Sequence, residues 1–313
     1  MNHGLKTKIP VIVGPTASGK TALSVALAKI TSGEIVSADS RQIYTHMDIG
    51  TDKPGKELRA SIPHHFIDIK LPSEYYTAGE FGREAELQVK TILQNGHLPI
   101  VVGGSGLYLR ALTDGLFGPK VSDLKVKQDL QKRVEKEGLD TLYHYLQKVD
   151  QITANRLHPN DAQRIIRALE VYQISGLPLS KHHSAQQRKN KLNWYFIGLR
   201  WPREVLYKRI EDRIDIMIQK GLVDEVRQLR SMGFTSELNS LQTVGYQEIF
   251  DVLDNTINLE VAINEIKKNS RRYAKRQITW FGRDERINWY DIDAEFNISA
   301  TAKIIKNRIR IDR

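Results

Sequence analysis

The chain has no cysteine among its 313 residues, which removes disulfide cross-links, thiolate-ligated zinc and thiol nucleophiles together. Long apolar runs are missing as well. None approaches the ~18 residues of a membrane-spanning helix, and the opening segment Met1-Asn2-His3-Gly4-Leu5-Lys6 carries no apolar stretch of signal-peptide length. A cytoplasmic protein without a membrane partner is expected, most simply a monomer. Internal repeats and low-complexity segments are absent, and 40% hydrophobic with 27% charged residues is the balance of a folded enzyme, not of a disordered chain. Two smaller absences bear on chemistry. The apolar run Leu98-Pro99-Ile100-Val101-Val102 ends in Gly103-Gly104 and not in the aspartate with which ATP-driven motors and switches hold Mg²⁺. No Asn-Lys-x-Asp guanine-reading motif occurs, which disfavours a GTPase-like RNA-binding module.

What the chain does contain is organised around Gly14-Pro15-Thr16-Ala17-Ser18-Gly19-Lys20-Thr21. This segment follows the apolar run Ile9-Pro10-Val11-Ile12-Val13 and opens the helical pattern Ala22 to Ala28. Strand, glycine loop and helix in that order form a phosphate cradle: backbone N–H groups turn inward, the helix N-terminus adds its positive end, Lys20 supplies a charge, and the Thr21 hydroxyl can ligate Mg²⁺. A di- or triphosphate is expected there.

Gly33-Glu34-Ile35-Val36-Ser37-Ala38-Asp39 reads as a second buried strand that ends on Asp39, where ligands gather in open α/β sheets. The alternative for Asp39 is a cap or loop-ordering role. His64-His65-Phe66-Ile67-Asp68-Ile69 reads as a third strand, with the two histidines on opposite faces and therefore unsuited to one metal. Thr77-Ala78-Gly79-Glu80 is a capping box that starts a helix stopping at Gly96. Ser105 lies in a second glycine turn and is either a ligand contact or a helix N-cap.

From about Gly118 the sequence turns charged and helical, and β-like sequence returns at Asn193-Trp194-Tyr195-Phe196. The expected fold is α/β, a P-loop NTPase-like core with a mostly parallel sheet and an all-helical insertion: core over 1–117, insertion over 118–193, core again over 194–313. Within the insertion Asn160-Asp161 caps a helix from about Ala162 to Ser175, with Ile165, Leu169 and Tyr172 on its core face and Gln163, Arg167 and Glu170 on another. A solvated polar face is the plain reading of the latter. Arg209 and Arg213 lie one turn apart and could clamp a diphosphate or pair with Glu211, Asp212 or Asp215.

Charge points to a large acidic partner. The net +10 favours nucleic acid first and an anionic membrane surface second, and eight Lys/Arg from Lys267 to Arg286 against Asp284 and Glu285 leave +6 in one short segment. Tyr273, Trp280 and Phe281 are interleaved there, as core anchors or as base-stacking surfaces. A basic helix from Val261 to about Trp280 is expected to complete the chain.

These motifs, together with Ser37-Ala38-Asp39-Ser40-Arg41-Gln42-Ile43-Tyr44, Met47-Asp48-Ile49-Gly50-Thr51, Gly103-Gly104-Ser105-Gly106-Leu107-Tyr108, Asp161 to Glu170, Val244-Gly245-Tyr246 and Ala274 to Phe281, resemble the bacterial tRNA dimethylallyltransferase family in content and order. The resemblance implies transfer of a dimethylallyl group from dimethylallyl diphosphate to N6 of the adenosine 3′-adjacent to the tRNA anticodon, with Mg²⁺ assisting. It implies diphosphate binding by Gly14, Pro15, Thr16, Ala17, Ser18, Gly19, Lys20 and Thr21, with Thr21 on the metal. It implies tRNA binding by Asp39, Ser40, Arg41, Gln42, Ser105, Gln163, Arg164, Ile165, Ile166 and Arg167. The chemistry then makes Asp39 the base and Lys20, Thr21 and Arg213 the groups that neutralise the departing diphosphate, ahead of Arg209. Ser105 stands where many members have threonine, and Gln242-Thr243 where some have an arginine. An ATP-dependent kinase on the same core is the rival reading.

Overall fold

The computed structural model describes residues 7–116, 122–182, 192–293 and 296–309. It divides into two compact units, Met1–Thr113 with Lys191–Arg313, and Asp114–Asn190. Among the described residues of the first, six parallel strands form one sheet: β1 (Ile9–Val13), β2 (Gly33–Ser37), β3 (His64–His65), β4 (Leu98–Gly103), β5 (Trp194–Arg200) and β6 (Asn288–Asp291), in the order β3-β2-β4-β1-β5-β6. β1 is buried along its whole length, as a central parallel strand covered on both faces must be. Alternation sends Ile12 with Ile35, Ile100 and Ile197 to one face, and Val11 and Val13 with Val36, Val101 and Phe196 to the other. The first face is closed by the helices Lys20–Thr31 and Ile298–Ile309 through Leu23, Leu27, Ile305 and Ile309. The second is closed by Ala78–Gln94, Gly106–Thr113, Arg203–Gln219 and Leu259–Phe281.

Two expectations need correcting. The third strand is only two residues long, because Phe66 and Asp68 take positive φ (65° and 56°) and Asp68 turns to accept from Lys53 Nζ and Arg59 Nη1, each at 2.6 Å. The basic helix also does not complete the chain: β6 and the Ile298–Ile309 helix follow it, and the latter covers a sheet face that would otherwise be exposed. The capping box is formed, Thr77 Oγ1 accepting from Glu80 N at 3.1 Å and Thr77 N donating to Glu80 Oε2 at 2.7 Å.

The β2 and β4 strand ends meet closely. A Cβ at Gly103 would lie 2.2 Å from the Ala38 carbonyl oxygen, a backbone atom that cannot yield. Gly103→Ala is therefore expected to cost about 1–3 kcal/mol of stability, measured as a lower urea midpoint at unchanged slope.

The second unit is helical throughout its described elements, Leu124–Glu137, Leu139–Val149, Gln151–Ala154, Ala162–Ser175 and Leu179–His182. They close on a core of Leu130, Leu142, Leu146, Ile165 and Leu169. Asp161 Oδ1 caps the fourth of these helices through Arg164 N at 3.2 Å, and Gly176 ends it in the left-handed conformation.

Candidate active site

The crevice follows from strand order. β4 lies between β1 and β2, with Val13 paired to Gly103 and Ser37 to Val102. The loop after β1 and the acid after β2 therefore emerge on either side of the Gly103-Gly104-Ser105 turn, two strand spacings or about 10 Å apart.

The phosphate loop has the backbone its glycines permit. Gly14 and Gly19 have φ of 148° and 93°, and Ala17 tolerates 61°. Gly19 precedes the Lys20–Thr31 helix with no side-chain cap, so the first-turn amides remain for an anion. Lys20 Nζ donates to Pro15 O at 2.6 Å, arched over the loop. Burial first, and then Arg213, pull its pKa from 10.5 down to about 8, while Asp39 and Asp52 act in the opposite direction. Thr21 is exposed at the helix start. Among the described residues no group of three or more His, Cys, Asp or Glu could hold a metal. The donor set is thus a lone hydroxyl beside an anion cradle, which fits Mg²⁺ taking most of its oxygens from a diphosphate and water.

Arg209 and Arg213 of the Arg203–Gln219 helix both reach this loop. Arg213 Nη2 donates to Thr16 Oγ1 at 2.5 Å and Nη1 to Asp52 Oδ2 at 3.2 Å. Arg209 Nε donates to Ala17 O at 3.0 Å, with its guanidinium 4.3 Å from the Trp201 ring centroid. The alternative partners are engaged elsewhere: Glu211 with Arg271, Asp212 with Lys208 and Asp215 with Lys267. Trp201 Nε1 braces the loop through Ser18 O at 3.0 Å.

On the β2 side, Asp39 Oδ1 accepts from Arg41 N (2.8 Å) and Gln42 N (3.3 Å). The loop-ordering role is therefore real, and it aims the carboxylate. Its charge is felt by Lys20, Tyr108 and Tyr273. Burial, and then Asp39, push the Tyr273 phenol up to about 12. Ser105 Oγ accepts from Ser40 N (3.0 Å) and donates to Ser40 Oγ (3.2 Å), tying the β2 and β4 turns together.

Several residues expected to meet RNA have partners within the protein. Arg41 donates to the carbonyls of Asn239, Ser240 and Gln242 at 2.6–3.4 Å and so holds that loop. Gln42 accepts from Ser37 Oγ and donates to the carbonyls of Thr51 and Asp52. Ile165 and Ile166 are buried (0% and 7%) in the core of the helical unit, so their side chains hold the helix and cannot touch a ligand. Gln163 and Arg164 are exposed on that helix, while Arg167 pairs with Glu170 at 2.7 Å. Glu170 is not on a solvated face: at 2% exposure it accepts from Ser122 Oγ and Asp123 N.

The basic helix is likewise narrower as a charged surface than its sequence suggests. Lys267 and Arg271 pair with Asp215 and Glu211, and Phe281 is core. Arg272, Lys275 and Arg276 stay exposed beside Tyr273 and Trp280.

Three residues escaped the sequence reading. Glu225 accepts the N–H groups of Asp48, Ile49 and Gly50 at 2.6–3.1 Å and the Tyr246 hydroxyl at 2.6 Å. A Cβ at Gly50 would strike the Tyr246 ring at 2.5 Å, which accounts for that glycine. This anchored loop carries Asp52 to Arg213, and no local signal marks Asp52. The third is Gln277, inside a motif noted for its charges.

The family model described as IPP transferase matches residues 42–284. A tRNA dimethylallyltransferase of Geobacter metallireducens is 44% identical over 298 residues, covering 95% of this chain and 96% of that one. Among solved structures, the full-length tRNA isopentenylpyrophosphate transferase of Bacillus halodurans aligns at a TM-score of 0.70 and 40% identity over 97% of each chain. A eukaryotic dimethylallyltransferase crystallised acting on tRNA aligns at a TM-score of 0.80 and 31% identity, over 96% of this chain and 78% of that one. Identity at this level, sustained over nearly the whole chain and carried by a shared fold, makes this protein a member of the tRNA dimethylallyltransferase family.

Proposed function

We propose that the chain transfers the dimethylallyl group of dimethylallyl diphosphate to N6 of the adenosine 3′-adjacent to the anticodon of tRNA, releasing diphosphate. The observation that carries this reading is the opposition of an anion cradle and an ordered carboxylate across one glycine turn, with donor-side cations on one side and Asp39 on the other. The adenine amine is a poor nucleophile because its lone pair is delocalised into the ring. Asp39 takes its proton as the N6–C bond forms and the allylic C–O bond breaks. Lys20, the loop amides and Arg213 receive the charge that builds on the leaving diphosphate. Mg²⁺ on Thr21 would add Lewis-acid neutralisation of the same oxygens. Access to N6 requires the base to leave its stack, and Arg272, Lys275 and Arg276 offer phosphate contacts whose affinity falls with salt.

The test is incubation with dimethylallyl diphosphate, Mg²⁺ and an anticodon stem-loop bearing the target adenosine. A nucleoside heavier by the dimethylallyl group is expected by mass spectrometry. An unmodified stem-loop with transfer or hydrolysis from ATP would establish the kinase instead.

The lowered pKa of Lys20 sets a pH dependence. Below pH 8 the ammonium is already charged; above it, binding an anion requires proton uptake. Affinity for dimethylallyl diphosphate is expected to be flat at lower pH and to weaken by up to about tenfold per unit above pH 8. Calorimetric titration in buffers of differing ionisation enthalpy reads both the affinity and the proton taken up.

A further inference from the structure

Gln277 does more than fill the interior of a basic helix. Its side chain is buried (5% exposed) on the Leu259–Phe281 helix, and each end of its amide is bonded to a different glycine turn. Oε1 accepts from Thr16 N at 2.8 Å, in the phosphate loop. Nε2 donates to Gly104 O at 3.0 Å, in the turn that carries Ser105. The amide orientation is fixed by these partners, since exchanging O and N would set donor against donor and acceptor against acceptor. The fit is tight: a Cβ at Gly104 would lie 2.3 Å from Nε2 and 3.7 Å from Gly14 O, so a side chain there would collide with Gln277 and reach the phosphate loop. One turn further along the helix, Trp280 covers Gly106 so closely that a Cβ there would meet Nε1 at 2.2 Å.

The bonds on either side extend the brace. Thr16, held through its N–H by Gln277, accepts Arg213 through its hydroxyl, and Ser105, next to Gly104, holds Ser40 beside Asp39. One amide thus joins the loop that receives diphosphate to the turn that orders the acid. The Thr16 N–H is thereby engaged by Gln277.

We infer that Gln277 is a positioning residue for the transfer: it sets the separation between the diphosphate cradle and the Asp39 side, and hence the approach of N6 to the allylic carbon. The inference rests on the reaction proposed above. Group transfer between two bound partners is steep in their alignment, and a displacement of about 1 Å costs on the order of 100-fold in rate. Binding of either partner alone needs only its own half of the site.

The test uses the full chain with Gln277→Met, which keeps length and volume and removes both hydrogen bonds. At saturating dimethylallyl diphosphate and stem-loop, the single-turnover rate is expected to fall about 30- to 100-fold, with each substrate's separately measured Kd within about threefold of wild type. Gln277→Leu, which removes both hydrogen bonds without placing a charge beside the anion cradle, is expected to show the same pattern and serves if the methionine variant does not fold. A rate within about threefold of wild type, or a loss explained by weakened affinity for one substrate, would return Gln277 to a purely structural role. Wild-type protein that transfers nothing would instead overturn the reaction itself, a distinct result.

Discussion

Lys20→Met should leave the folded protein at least as stable as wild type while lowering transfer about 10²–10³-fold. The two halves of that result come from one cause. Burial and Arg213 depress the Lys20 pKa to about 8, which means that the free protein holds this ammonium at a cost to folding. Removing the charge relieves that cost, so the melting temperature is expected to hold or rise. In the reaction proposed above the same ammonium faces a diphosphate whose negative charge grows as the C–O bond stretches. Methionine keeps the packed chain and loses only the charge and its bond to Pro15 O. A thermal shift and a transfer rate measured on the same preparation decide the matter. A variant that melts early and is inactive would assign Lys20 to structure, and one that transfers at wild-type rate would remove it from the site.

Asp39→Asn is expected to lower the transfer rate about 10²–10⁴-fold at constant tRNA affinity. Asparagine is the informative replacement because the structure gives the carboxylate two separable duties. Oδ1 receives the amides of Arg41 and Gln42, a duty that an asparagine oxygen can continue. Accepting a proton from N6 requires the ionised acid, and an amide cannot do it. Asp39→Ala removes both duties, and with them the fixed path of the chain that places Arg41 on the carbonyls of Asn239 and Ser240. The alanine variant is therefore expected to lose stability as well as rate, and the asparagine variant rate alone. If Asp39→Asn matched the wild-type rate at saturating substrate, the carboxylate would serve loop order only.

Sequence reading went furthest where function depends on contiguous residues. The strand, loop and helix from Ile9 to Thr31 were legible because a phosphate cradle is built from backbone, whose shape follows from local glycines. The capping box at Thr77 and the Asp161 cap were legible for the same reason, since their partners lie three residues away. Reading failed where a strand pattern hid a turn, as at Phe66 and Asp68, because the pull on Asp68 comes from Lys53 and Arg59. It also failed for polar side chains whose partners are distant. Arg41 and Arg271 look the same as any free cation in sequence, and only packing brings them carbonyls or a carboxylate.

By itself, then, the sequence determined an α/β core opened by a strand, a glycine loop and a helix, an acid at a strand end, a basic helix and, through its motifs, the family. The tertiary structure decided which of those residues share a crevice. Strand order put Asp39 and the loop on either side of Gly104, the Arg203–Gln219 helix brought Arg213 to Thr16, and Gln277 arrived from 261 residues away to bond the same threonine. The reason is physical: local preferences act over a few residues, whereas hydrogen bonds between buried polar groups are set by whichever elements the hydrophobic core packs together.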